Sequence, residues 1–330
     1  MTKASFCIVH LHFHRRKTGV TKSIEQLLPF LQNKMPAAVF GYGISAPKIG
    51  WIKLLKHVFS KEQTVVHVHR NKEIMFALLL RLIGGRFALL ATRHSATKPS
   101  GLTRFLMNKA NRKIFLTAGA AFDTSSNNVV IPHGVNTMHF STGELSLSHK
   151  KQIGVVGRIR KTKGQKVIYN ALRSFLKDHP DWKLTFIGKI DQKEYAREIQ
   201  AHAETEGIAR QLSFLAQTEE INRFYHQCAL VIVGSFSEGF SLVPLEAIAS
   251  GCTVIATENV GVHSSLIQAG ENGYLFPVGN EKKLASIVAD IVENKRFFSP
   301  EVLTKSIAPW KMENIADQTL DTYQACLKEL

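Results

Sequence analysis

Short apolar runs alternate with helical patterns along the whole chain, and the series breaks once and then begins again. Residues 6–9, 37–40, 64–69 and 87–92 read as buried strands, with helices at 21–31, 73–83 and 102–110 between them. Pro29 lacks an N–H and should kink the first helix. Gly84 and Gly85 close the second. Such alternation requires parallel sheets with right-handed crossovers. A turn-rich connector follows at 131–136 (Ile-Pro-His-Gly-Val-Asn), and the polar stretch up to Lys151 reads as loop. Strands then resume at 152–156, 184–187, 212–215, 230–233 and 253–256, with helices at 163–179, 194–206, 244–250 and 281–292. A polar divider between two complete series predicts two tandem domains, 1–136 and 137–330. At 330 residues each part is long enough to bury its own core. In open parallel sheets ligands bind beyond the carboxyl ends of the strands.

The charge is one-sided. Residues 1–136 hold 20 Lys and Arg against four Asp and Glu, whereas 137–330 hold 22 of each. The entire net +16 therefore falls in the first domain and points to an anionic partner for it: nucleic acid, an anionic membrane surface or an acidic acceptor. The alternative is a solvated basic surface. No apolar run reaches 18 residues; the longest candidate, 74–83, is broken by Arg81. Arg15, Arg16 and Lys17 follow the first apolar segment where a cleavage site would stand, so no signal peptide is expected. Cys7, Cys228, Cys252 and Cys326 form no C-x-x-C pair and no metal spacing, which fits reduced core thiols in the cytoplasm.

Two clusters carry chemistry. Gly157-Arg158-Ile159-Arg160-Lys161-Thr162-Lys163-Gly164 follows a strand and opens a helix, where N–H groups and the helix dipole favour an anion. Arg158 and Lys163 add charge suited to a diphosphate; a solvated basic turn is the competing reading. The second cluster runs from Ser235 to Glu246 and also joins a strand to a helix. Pro244 suits a first helical turn, which puts Glu238 in the loop and Glu246 just inside the helix. Carboxylates accept from sugar hydroxyls, and Gly239, Phe240 and Ser241 can offer backbone N–H groups to a leaving anion. The competing role is helix capping, which would suffice for one of the two Glu residues.

These motifs, in this order, resemble glycosyltransferase family 4, of the GT-B fold. The Glu-x7-Glu pattern is Glu238 and Glu246, and the Gly-Arg-hydrophobic-x3-Lys-Gly element is Gly157, Arg158, Ile159, Lys163 and Gly164. The Pro-Asn-Gly-Val connector is present with His133 in place of Asn, and 270–277 is similar to the family's late glycine-rich turn. The resemblance implies two Rossmann-like, doubly wound domains facing a central cleft. The N-terminal one would bind acceptor and the C-terminal one nucleotide sugar, with the last helix able to pack back on the first. Arg158 and Lys163 would neutralise the departing diphosphate. Glu238 would meet donor-sugar hydroxyls and Glu246 the ribose. Gly19, Gly157, Gly188, Gly239, Phe240, Ser241 and Leu242 would line the donor, and His94 would stand near the reaction centre. Gly19 matches a loop where the family has two adjacent glycines, and the family's Gly-Gly-x-x-Glu turn reads here Val260-Gly-Val-His-Ser-Ser265, without the Glu.

A finer resemblance, carried by His14 to Thr21, His69-Arg70-Asn71 and Thr92-Arg93-His94-Ser95, is to lipopolysaccharide core mannosyltransferases. It implies GDP-mannose as donor and a Kdo-lipid A type acceptor carrying anionic keto-sugar acids. UDP-sugars or ADP-heptose are the alternative donors. Arg15, Arg16, Lys17, His69, Arg70 and Arg93 become acceptor-binding candidates, although His67, His69 and Arg70 equally suit ordinary strand-edge positions. With no Asp-x-Asp motif in the chain, a metal-independent, retaining same-face substitution is expected, with no cofactor. The protein would sit peripherally at the inner face of the cytoplasmic membrane. A non-catalytic anionic-ligand module, a nucleic-acid-binding protein and an enzyme of the same fold with different chemistry, such as a sugar-nucleotide epimerase, are the rivals; the Glu pair with the Arg/Lys loop argues against the last. The chain contains no nucleic-acid motif, and the first rival leaves the diphosphate loop unused.

Overall fold

The structure is a computed structural model and describes residues 6–95, 97–143 and 150–330. The chain runs β1 (Cys7–Phe13), α1 (Gly19–Gln32), β2 (Ala37–Tyr42), α2 (Trp51–Phe59), β3 (Thr64–Val68), α3 (Asn71–Leu82), β4 (Ala88–Arg93), α4 (Gly101–Met107), β5 (Arg112–Phe115) and β6 (Asn128–Val130). It continues with β7 (Gln152–Val156), α5 (Gln165–Asp178), β8 (Lys183–Ile187), α6 (Lys193–Thr205), β9 (Leu212–Leu215), α7 (Ile221–Gln227), β10 (Leu230–Val233) and α8 (Val243–Ala249). It ends with β11 (Thr253–Thr257), α9 (His263–Leu266), β12 (Tyr274–Phe276), α10 (Glu281–Glu293), α11 (Pro300–Ser306) and α12 (Met312–Leu327). Two compact units result, 1–134 with 310–330, and 135–309. The second unit thus ends at 309, because α12 joins the first. Residues 144–149 of the stretch read as loop lie outside the described residues.

The first unit is built on a six-stranded sheet ordered β2-β1-β3-β4-β5-β6, and every pair is parallel. Its central strands β1, β3 and β4 are buried on both faces, as expected of a parallel sheet covered by helices. On one face Leu54, Val58, Ile74, Ala77, Leu80 and Leu106 of α2, α3 and α4 pack on Leu11, Val66 and Leu89. On the other, α1 and α12 bury Leu31, Ile315, Leu320 and Tyr323 against Ile8, Val65 and Leu90. The strand side chains alternate between these two sets, as the two-residue pleat requires. Pro29 does not end α1, which continues to Gln32.

The second unit repeats the plan with an all-parallel sheet ordered β12-β11-β10-β7-β8-β9. The helix expected from 163 starts at Gln165, because a 3-10 turn at Lys161–Lys163 and Gly164 precede it. Gly164 has φ +71°, and a Cβ there would overlap the Gly234 carbonyl oxygen, so this position can only be glycine. The strand order reverses beside β7 and β10, and the loops that follow these two strands hold both motif clusters. Among the described residues no helix is long and apolar enough to cross a membrane.

Candidate active site

In the second unit the loops after β7 and β10 touch. The Phe236 N–H donates to the Thr162 carbonyl at 3.0 Å. Across this contact the Lys163 ammonium is ion-paired with the Glu238 carboxylate, both side chains being largely buried. Ser235 donates its hydroxyl to the same carboxylate oxygen at 2.7 Å, and Thr257 donates to the Ser235 carbonyl at 2.8 Å. The expectation had Lys163 on phosphate and Glu238 on sugar; in the structure they neutralise each other first. Arg158 is half-exposed and bonds Asp191 through Nη1 at 3.1 Å, and its carbonyl accepts from the Gln165 side chain at 2.9 Å. Gly157 (φ +139°) and Gly188 (φ +148°) end β7 and β8 side by side, so close that a Cβ on Gly188 would overlap the Gly157 carbonyl oxygen.

Glu246 lies in the first turn of α8, with Pro244 in the same turn. The Tyr225 hydroxyl donates to its Oε2 at 3.1 Å, and burial pushes that phenol well above its usual range. Between the two glutamates Ser241 takes φ +81°, a left-handed conformation that a residue with a Cβ adopts only under constraint. The Phe240 side chain is buried, and its carbonyl accepts from the Val262 N–H at 2.8 Å. Gly239 and Leu242 flank it on the same loop. The turn that lacks the family's Glu therefore buttresses this loop: a Cβ on Gly261 would overlap the Phe240 carbonyl oxygen and come within 3.0 Å of Glu238 Cβ. His263 is fully buried beside it, with Nδ1 2.8 Å from the Thr257 carbonyl, and burial lowers its pKa.

The first unit gathers histidines. His94 Nε2 lies 3.0 Å from His69 Nδ1, and His69 Nε2 lies 3.2 Å from His10 Nδ1. His10 Nε2 is 3.3 Å from the Tyr323 hydroxyl, which is 2.7 Å from His67 Nδ1; His67 Nε2 is 2.7 Å from Thr92 Oγ1. His133 stacks on His94 with ring centroids 5.4 Å apart, and its Nδ1 lies 2.9 Å from Ser23 Oγ. Burial holds His67, His69 and His94 well below the usual imidazole range, His10 at about 3 and His133 at about 4. All five are therefore neutral near pH 7. A cavity of about 400 Å³ is lined by His69, Arg70, Arg93 and His94, with Asn71 and Ser95 among its other walls. Arg70 donates to Thr18 Oγ1 at 3.0 Å, and buried Arg93 donates to the Thr97 carbonyl. Arg15, Arg16 and Lys17 are exposed on the loop after β1. Gly19 opens α1 with open space around its Cβ position.

Of the residues singled out from the sequence, the structure puts Arg158, Lys163 and Glu238 on two touching loops, Glu246 in the helix that follows, and His69, Arg70, Arg93 and His94 around one cavity. The sequence reading missed Asp191, Tyr225, His263, His10 and Tyr323. These act through contacts between distant segments. Only the His10-x-His12 alternation along β1 offered a local signal.

A lipopolysaccharide core biosynthesis mannosyltransferase of Rhizobium leguminosarum bv. viciae is 27% identical over 302 residues, covering 86% of each chain. One of Rhizobium meliloti (strain 1021) is 29% identical over 310 residues, covering 87% of this chain and 88% of its own. The structure of HepE from Anabaena in complex with UDP superposes with a TM-score of 0.78 at 18% identity, covering 97% of this chain and all of that one. That likeness establishes the GT-B fold. The model of the family "Glycosyl transferases group 1" matches residues 141–305, half of the chain. The protein is a glycosyltransferase enzyme and belongs to this group 1 family.

Proposed function

We propose that the protein is a retaining hexosyltransferase of lipopolysaccharide core synthesis, moving mannose from GDP-mannose to an acceptor of the Kdo-lipid A type. The observation that carries the reading is that Arg158 and Lys163 on the loop after β7, Glu238 on the touching loop after β10 and Glu246 in the first turn of α8 all follow strands on either side of the point where the sheet order reverses. There a nucleotide sugar would find two cations for its diphosphate and two carboxylates for hydroxyls. The names of the two Rhizobium relatives, which span nearly the full chain, support the acceptor class and the sugar. The diphosphate charge is met by Arg158, Lys163 and backbone N–H groups, so no metal is required. The departing phosphate oxygen takes the acceptor proton as the sugar passes through an oxocarbenium-like state. Gly19, Gly157, Gly188, Gly239, Phe240, Ser241 and Leu242 complete the donor side.

On the acceptor side Arg15, Arg16, Lys17, His69, Arg70 and Arg93 meet the anionic groups, and the first unit rests peripherally on an anionic bilayer at the inner face of the cytoplasmic membrane. Its outer helices support that placement. On α2 Trp51, Ile52, Leu55 and Phe59 are exposed beside Lys53 and Lys56, and on α3 Met75, Leu79 and Leu82 are exposed beside Lys72. A protein partner's site would be poor in Lys, whereas an apolar face edged with Lys suits a lipid surface.

The test is incubation with GDP-mannose, UDP-glucose and ADP-heptose, each with detergent-dispersed lipid A bearing keto-sugar acids. The anomeric configuration of the product is then read by NMR. Retention with GDP-mannose supports the proposal. Turnover with another donor alone moves the assignment to that donor, and inversion overturns the mechanism.

A further inference from the structure

Two arginines of the first unit are desolvated enough for burial to lower their pKa, Arg81 and Arg93. Their surroundings differ. The Arg81 guanidinium donates to the Phe87 and Lys109 carbonyls and to the Asn111 side chain, and it lies over the Phe87 ring. The protein thus answers that charge with acceptors of its own. Arg93, at the end of β4, is 8% exposed. Among the described residues its guanidinium has one hydrogen-bond partner, the Thr97 carbonyl. Its Nε is a buried donor with no partner, and no described carboxylate is near enough to raise its pKa.

A buried cation that stays charged needs an anion or a full set of acceptors, and without either it is costly. Among the described residues Arg93 has neither. Its side chain lines the cavity of about 400 Å³, and no acidic residue is among the described walls. Arg70 lines the cavity as well and donates to Thr18 at 3.0 Å. Its charge is partly met by Glu73, whose carboxylate oxygens accept from the Phe13 and His69 N–H groups at 3.1 and 2.7 Å. Asn71, the first residue of α3, lies on the same wall, so the positive end of a 12-residue helix adds to the field. The unmet demand is for a negative charge in the cavity, whichever guanidinium nitrogen it meets.

We infer that Arg93, seconded by Arg70, makes this cavity a preformed site for one oxyanion, a carboxylate or phosphate of the acceptor, and that Arg93 makes the acceptor's charge a condition of its binding. The inference deepens the acceptor side of the proposed function and rests on it for the identity of the sugar; anion binding itself needs no donor and no turnover. It also ranks the basic residues of the first unit. Arg15, Arg16 and Lys17 are exposed, so water and salt screen them and they attract any anion weakly. A desolvated guanidinium offers a charge-assisted fork, and a neutral acceptor would leave it unpaired.

Calorimetric titration of the whole protein with free Kdo, Kdo methyl ester and inorganic phosphate tests this, with GDP present to fill the donor loops. The acid or phosphate should bind one to one and the ester should not; the tighter of the two tells carboxylate from phosphate. Arg93→Gln should weaken that binding about 10- to 150-fold, the worth of a charge-assisted hydrogen bond. Arg93→Met gives a second readout that needs no ligand. Removing an uncompensated buried charge should raise the melting temperature by about 2–4 °C, and the anion should then stabilise the wild type but not the variant. Binding of neither anion, equal binding of the ester, or binding that Arg93→Gln leaves within a few-fold would overturn the inference. So would an unchanged or lower melting temperature in Arg93→Met, which would mean that the protein itself satisfies the guanidinium. Failure of the transfer assay with anion binding intact would instead strike the transferase reading.

Discussion

Lys163 and Glu238 bring two opposite demands into one contact. The ammonium must later face phosphate and the carboxylate a sugar, yet in the protein alone each keeps the other neutral in a largely buried place. Removing one partner leaves the other as an uncompensated charge. We expect Glu238→Ala to lower transfer by about 10- to 150-fold, the worth of one or more charge-assisted hydrogen bonds. A folded variant within a few-fold of wild type would remove Glu238 from the chemistry. Arg158→Ala should weaken nucleoside diphosphate binding by a similar factor in calorimetric titration, because Asp191 cannot substitute for the missing cation. Activity should persist in EDTA, and a strict need for added divalent cation would overturn the metal-free reading. Arg158, Lys163, Glu238 and Glu246 were legible because two spaced motifs carry them. Their pairing was not, since Lys163 and Glu238 are 75 positions apart and meet only through the order of the sheet. Nor could the sequence show the left-handed backbone at Ser241, where glycine would be the usual signal.

At the scale of elements, the legible strands were those of at least four residues rich in aliphatic and aromatic side chains, and the missed ones were short or polar. β5 begins with two basic residues, and its Lys113 is buried, ion-paired with Asp123 at 2.9 Å. β6 has three residues and lies at the sheet edge. Glu313, Asp317 and Asp321 give α12 a polar face, while its other face is buried in the first unit. Helix α2 was hidden because apolar residues surround it on the exposed as well as the buried side. Leu54 and Val58 are buried in the core and Trp51 packs edge-on against Phe40 and Phe76, which leaves Ile52, Leu55 and Phe59 as its outward apolar surface. If it seats on lipid, Ile52→Glu with Leu79→Glu should lower partitioning into phosphatidylglycerol-containing vesicles by about tenfold while the melting temperature holds, because both side chains are exposed. Unchanged partitioning would leave the face without a membrane role. A concentration-dependent dimer that the variant abolishes would make it a protein interface instead.

Over the whole molecule, charge and histidine burial set the two units apart. The positive excess stays with the first unit even after α12 and its flanks add two Lys and four acids. The return of 310–330 to that unit was expected from the family resemblance and not from local pattern, because what places α12 is the sheet face over β3 and β4. The same unit buries a set of neutral histidines, and this has a consequence for acid stability. In the unfolded chain each imidazole takes a proton as pH falls below about 6.5. In the folded unit His10 resists protonation down to about 3, and His67, His69 and His94 resist it well below the usual value. The unfolded state then binds more protons, so stability is full above about pH 6.5 and is lost progressively as pH drops toward the folded values. His10 alone should cost about 2 kcal/mol between pH 7.5 and pH 5, and the others act in the same direction. In the second unit His263 is the one histidine with a lowered pKa among the described residues, so that unit should lose far less. Scanning calorimetry at pH 7.5, 6 and 5 should show a transition that moves down steeply with acid and a second that moves little. His10→Gln, which cannot titrate, should shallow the first dependence without touching the second. A single transition with the same midpoint at all three pH values would mean that the buried histidines accept protons without cost, and that their neutrality is not built into the fold.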